Sequence, residues 1–132
     1  VASVFEGLGF KATTNAKKES RKASPIEVDV WASKKIADTS FSVYVSCKNW
    51  DRAVDGSVID EETGRVLSLR EWPQLKVIIA KEVTAPAKEI AEEANGFVVI
   101  ELGKRAEAEK AREIYELVYR VLNELFTSIA RG

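Results

Sequence analysis

Two short stretches carry charge where buried strands should avoid it: IEVDVWAS at residues 26–33 and FSVYVSCKNW at residues 41–50. Glu27 and Asp29 lie two apart, as do Ser46 and Lys48, and side chains two apart on a strand share a face. If the strands pair, two acids and a lysine converge at one edge of a sheet. A carboxylate can hold Mg²⁺ through oxygen, with waters completing the octahedron. The ion lowers the pKa of its water and neutralises charge on a phosphate. A lysine beside it stabilises the charge that develops during attack. These are the parts of a phosphodiester hydrolysis that needs no histidine. The same spacing also suits a structural ion pair of Lys48 with Glu27 or Asp29, and spacing alone leaves both readings open.

The composition narrows the chemistry. There is no His among the 132 residues, which excludes a Ser-His-Asp triad, a His general base and His-ligated zinc. The lone Cys47 forms no internal disulfide and fits a reducing compartment, so a cytoplasmic location is expected. No His can activate Cys47 as a nucleophile. No apolar run is long enough to span a bilayer, and no basic-then-apolar leader is present. There is no Met, so the reading is of a fragment of a longer chain. A single Gln among many Glu and Lys suits a thermophile.

A net charge of -1 argues against a uniformly basic nucleic-acid binder. The first fifty residues nevertheless hold eight Lys and Arg against five Asp and Glu. The excess sits in NAKKESRKASP, with Lys17, Lys18, Arg21 and Lys22. That segment is either a solvated loop or a loop that meets phosphates.

The elements that must position these residues follow from periodicity. VASVFEGL has helical spacing and Gly9 stops it; FKATT is a short strand, and residues 15–25 form a polar, basic loop. IEVDVWA alternates Ile26, Val28 and Val30 against Glu27, Asp29 and Trp31. FSVYVSCK alternates in the same way, and the polar link SKKIADTS predicts an antiparallel pair. Ser57 could cap a helix with Val58, Ile59, Glu62, Arg65, Val66 and Leu69 near one face, although EETGRV also suits a hairpin turn. KVIIA reads as a buried strand. Thr84 caps a helix with Pro86 in its first turn, Asn95-Gly96 ends it, and FVVI is a second buried strand. That strand-helix-strand unit implies a parallel, right-handed crossover. Ile114, Leu117, Val118, Val121, Leu122, Leu125, Phe126 and Ile129 form one face of a long last helix, either core or the seam of a homodimer. Trp31 and Trp50 suit packing on the sheet or stacking on bases. The order predicts an α/β sandwich with a mixed sheet.

LGF, the polar loop, IEVDVWAS, FSVYVSCKNW and KVIIAKEVTAPAKEIAEEANGFVVIEL together resemble the restriction-endonuclease-like fold. The chain is most similar to the archaeal and bacterial Mrr-like branch of the PD-(D/E)xK nucleases, over most of residues 5–102. The resemblance implies a three-layer α/β/α sandwich with a mixed central sheet of about five strands, making one nuclease-like domain of residues 1–132. It implies Mg²⁺ or Mn²⁺ as cofactor and DNA as partner. Asp29 matches the metal-binding acid and Lys48 the catalytic lysine, while Cys47 lends its backbone carbonyl to the metal. Ser46 stands where the family has Glu or Gln, and is a poorer ligand. Glu27, on the same strand as Asp29, is the expected source of the missing carboxylate. The family's first-helix glutamate would fall upstream of Val1. Asn49, after the lysine, joins Lys17, Lys18, Arg21 and Lys22 as a candidate DNA contact. The implied function is a metal-dependent DNA endonuclease; the alternative is a nuclease-fold module, weakened or inactive through Ser46, that binds DNA without cutting it.

Overall fold

The computed structural model describes residues 1–48, 51–103 and 111–131. Helix α1 (Ala2–Gly7) leads into β1 (Lys11–Lys18), β2 (Ile26–Ile36) and β3 (Thr39–Lys48). Then come α2 (Gly56–Ser68), β4 (Leu75–Ala80), α3 (Ala85–Glu89) with a π-helical turn (Ile90–Ala94), β5 (Phe97–Glu101) and α4 (Ala111–Arg131). The five strands lie in one sheet in chain order. β1–β2 and β2–β3 pair antiparallel, while β3–β4 and β4–β5 pair parallel. The parallel pairs are those with a helix between them, since a parallel return needs a crossover.

The sheet separates two cores. On one side Val58, Ile59 and Val66 of α2 and Ala87 of α3 pack on Trp31, Tyr44 and Ile78. On the other, Val4 and Phe5 of α1 and Val118 and Leu122 of α4 pack on Val30, Val43, Val45 and Val77. This is the expected three-layer α/β/α sandwich with a mixed sheet. Ile114, Leu117, Val121 and Phe126 also pack against the second core. Six of the eight stripe residues of α4 thus pack inside the chain. Among the described residues no helix is long and apolar enough to cross a membrane.

Three local expectations need correction. Residues 15–25 are not all loop: β1 runs through Asn15 to Lys18, pairing Lys17 with Glu27 and Lys18 with Ile26. The shorter loop that follows is braced. Ser20 Oγ donates to Ser24 O (2.6 Å) and accepts from Lys22 N (3.0 Å), while Arg21 N donates to Ser68 O (2.8 Å) at the end of α2. The link SKKIADTS is mostly strand, because Ile36 pairs with Thr39 across a two-residue turn. Ala37 and Asp38 both have positive φ, 50° and 67°, the combination that matches a hairpin turn to strand twist. The helix at residues 56–68 forms, but Asp55 caps it rather than Ser57: its side chain accepts from Ser57 N and Val58 N. The cap at Thr84 is as expected, with its side chain accepting from Ala87 N and Pro86 in the first turn.

Candidate active site

The amino-terminal end of β2 and the carboxyl end of β3 depart from regular pairing. β2 and β3 are in register from Ile36–Thr39 to Val30–Val45, and the ladder stops there. At the same level Asn15 of β1 has φ of 50°, and the pleat of β2 changes phase. Val28 packs with Trp31 in one core, whereas Val30 packs with Ala32 in the other. Strict alternation would have put Val28 and Val30 together. The expectation that Glu27, Asp29 and Trp31 share one regular face is therefore corrected.

The break gives Asp29 an unusual setting. Its Oδ2 accepts from the backbone N–H of Cys47 at 2.7 Å, where a β2 carbonyl would otherwise sit. A residue's amide and carbonyl point the same way along a strand, so the Cys47 carbonyl faces the same gap between β2 and β3. The Cys47 thiol is pushed up to about 11, first by burial and then by the negative charge of Asp29, so it stays protonated and plays no nucleophilic part.

Ser46 and Lys48 stand on the α2 side of β3, as Tyr44 does, and meet a residue from α2. Glu62 is 1% exposed although charged. Its Oε1 lies 2.7 Å from Lys48 Nζ and accepts from Ser46 Oγ at 3.1 Å. Its Oε2 accepts from the Tyr44 hydroxyl and lies 3.8 Å from Arg65 Nε. Burial pushes the Glu62 carboxyl up. The hydrogen bonds from Lys48 and Tyr44 and the charges of Lys48 and Arg65 outweigh it, so the group sits below the usual carboxylate range. Tyr44 is driven the other way, by burial and then by the Glu62 charge.

These groups line one cleft of about 320 Å³, with Glu27, Asp29, Tyr44, Ser46, Lys48, Glu62 and Arg65 on its walls. Three acids face two bases there. Asp29, Lys48, Ser46 and Glu27 are thus brought together as the sequence suggested. Glu27 lies at the rim, exposed, with its backbone carbonyl accepting from Arg65 Nη2. The carboxylate nearest Lys48 is Glu62, and sequence reasoning gave it no role. The available signal was its place in the apolar face of α2, between Ile59 and Val66.

Lys17, Arg21 and Lys22 are exposed. Lys18 is half-buried, 3.0 Å from Glu71 and 4.3 Å from the Trp31 ring centroid, so it is partly used within the chain. Trp31 is 6% exposed and packs in the core. Asn49 and Trp50 lie outside the described residues.

Among the described residues no group of three His, Cys, Asp or Glu side chains is placed to hold a metal ion. By donor chemistry the cleft suits a hard cation: the carboxylates of Asp29 and Glu62 line it, and the Cys47 carbonyl faces the gap that Asp29 bridges. Mg²⁺ is commonly held by one or two carboxylates, with waters and substrate phosphates supplying the rest.

The chain matches the Restriction endonuclease family, Mrr_cat, over residues 1–108. No curated protein matches it. A solved structure of a protein of unknown function superposes with a TM-score of 0.64 at 17% identity, covering 86% of this chain and 60% of its own. A repair endonuclease from Pyrococcus abyssi gives 0.52 at 21% identity, covering 76% of this chain and 44% of its own. Both likenesses concern the fold, and this chain spans less than two thirds of either neighbour. With most of its length matched by one family, the chain belongs to the Restriction endonuclease family, Mrr_cat.

Proposed function

We propose that this domain hydrolyses DNA phosphodiester bonds with a divalent cation, Mg²⁺ or Mn²⁺. The observation that carries the reading is the meeting of Asp29, Lys48 and Glu62, from β2, β3 and α2, in one cleft. Asp29, Glu62 and the Cys47 carbonyl would hold the ion, and Ser46 serves as a donor to Glu62 rather than as a ligand. The ion, when bound, supplies an activated water and neutralises phosphate charge. Lys48, rooted at the end of β3, turns its ammonium to the phosphate and stabilises the charge that grows during in-line attack. Glu27, at the rim, orients Arg65 through its backbone carbonyl.

The rival reading, a domain that binds DNA without cutting it, drew on the missing carboxylate at Ser46. Glu62 is one hydrogen bond from Ser46 and can supply that carboxylate, which favours cleavage. Lys17, Arg21 and Lys22, on β1 and a loop braced to α2, suit the phosphate backbone. Lys18 and Asn49 are secondary candidates. The half-buried thiol of Cys47 suits a reducing cytoplasm.

The test is nicking of supercoiled plasmid with Mg²⁺ or Mn²⁺ and with chelator. Cleavage should need the ion and vanish in Lys48→Ala with the circular dichroism spectrum unchanged. Equal cleavage by wild type and Lys48→Ala would sink the proposal. Binding of duplex with no cleavage under any ion would favour the rival.

A further inference from the structure

Glu62 is gripped on both oxygens, and the two grips differ. Oε1 meets Ser46 Oγ at 3.1 Å and Lys48 Nζ at 2.7 Å. These two groups flank Cys47, whose amide holds Asp29, so Oε1 lies against the end of β3 that also anchors the other carboxylate of the cleft. Oε2 meets the Tyr44 hydroxyl and has Arg65 Nε at 3.8 Å. Arg65 Nε also donates to Tyr44 Oη at 3.4 Å, and its Nη2 to the Glu27 carbonyl.

Oε2 is covered by Tyr44 and Arg65. Tyr44 and Glu62 are each 1% exposed, so no solvent can take over the hydroxyl's place. Arg65 crosses from α2 to β2 and ties the helix to the strand that carries Asp29. A cation shared with Asp29 can reach Oε1 by displacing Lys48, whose side chain is 18% exposed. Reaching Oε2 would mean breaking the Tyr44 hydrogen bond and unseating Arg65 from the Glu27 carbonyl.

We propose that Tyr44 and Arg65 are positioning residues for Glu62, holding Oε2 so that Oε1 is the oxygen left to a divalent cation that Asp29 also binds. The inference rests on the metal-dependent reading above and adds two residues that touch neither ion nor substrate. The terminal torsion of a Glu is broad and about two-fold, so burial alone leaves the carboxylate free to turn. The Tyr44 hydroxyl selects one orientation. Groups that orient a metal-ligating carboxylate typically set metal affinity by about 10–100-fold.

Mn²⁺ titration by calorimetry, with and without duplex oligonucleotide, tests this on the wild-type chain, Glu62→Gln, Tyr44→Phe and Arg65→Gln. Urea unfolding without metal runs in parallel. Tyr44→Phe keeps the buried ring and removes only the hydroxyl. The folded Tyr44→Phe protein is expected to bind Mn²⁺ about 10-fold or more weakly, Arg65→Gln to weaken it too, and Glu62→Gln to lose it. A merely structural hydroxyl would lower the urea midpoint and leave the Mn²⁺ affinity of the folded protein unchanged. That outcome, with Glu62→Gln still losing the ion, overturns the positioning role and leaves the metal-dependent reading intact. Wild type binding no Mn²⁺ with or without duplex overturns both. If Tyr44→Phe does not fold, Arg65→Gln decides by the same criterion.

Discussion

Removing Glu62 should damage the fold more than removing Lys48, although the two form one ion pair. Glu62→Ala leaves the buried hydroxyls of Tyr44 and Ser46 without this acceptor, and Lys48 and Arg65 without its charge. Breaking a buried pair by deleting one partner costs about 3–5 kcal/mol. Lys48 and Arg65 can turn toward water, their side chains being 18% and 37% exposed, so the lower end applies, about 3 kcal/mol. Lys48→Ala takes one donor from a carboxylate that keeps Ser46, Tyr44 and Arg65. One hydrogen bond to a charged group contributes about 1.5–3 kcal/mol, and the surviving donors favour about 1.5 kcal/mol. For a domain of this size 1 kcal/mol moves Tm by about 4 °C, so the expected drops are about 12 °C and about 6 °C. Urea unfolding followed by tryptophan fluorescence measures both at neutral pH. Acid supplies a second check through Glu62→Gln, which cannot ionise. The folded Glu62 has its pKa below its unfolded value, so its stabilisation is full above that unfolded value and lost as pH falls through the folded one. Wild type and Glu62→Gln should therefore start to draw together as pH falls through the ordinary Glu value of about 4.3 and converge only below the lower folded one. Lys48→Ala costing as much as Glu62→Ala would refute this ordering, and so would a gap to Glu62→Gln that stays constant with pH.

Two further outcomes follow from the strands. Ala37 at φ 50° pays the left-handed penalty of an L-residue, about 1–2 kcal/mol; Ala37→Gly should raise the urea midpoint, and a lowered midpoint would refute the turn. Neutralising Lys17, Arg21 and Lys22 together should weaken duplex binding uniformly across sequences. The slope of log K against log salt should fall by about one for each phosphate no longer neutralised, and an unchanged slope would move the DNA elsewhere.

Buried strands and capped helices were legible because each leaves a local mark. KVIIA and FVVI are continuous apolar runs, and Thr84-Ala-Pro is a helix start. Residues 15–18 read as loop because β1 is an edge strand whose Asn15 and Lys17 face water, so no alternation shows. The hairpin turn was hidden because Ala37 is not a residue that favours positive φ. Asp29, Ser46 and Lys48 were legible as a constellation, since two strands fix their spacing. Glu62 was visible only as an acid in an apolar stripe. Its partner depends on how α2 rotates against the sheet, which the sequence of α2 does not encode alone. The phase change at Asp29 is set from the neighbouring strand, opposite Asn15, and no reading of β2 by itself contains it.

The cleft is also compact along the chain. Among the described residues, every one that lines it falls between Glu27 and Arg65, in one hairpin and the helix that follows. Short loops close at lower entropic cost than long ones, and near-neighbour contacts favour fast folding. A ribosome that has emitted the chain through Ser68 has already delivered every group of the cleft. The later strand β4 then pairs with the far edge of β3 and β5 with β4, extending the sheet, and neither strand lines the cleft.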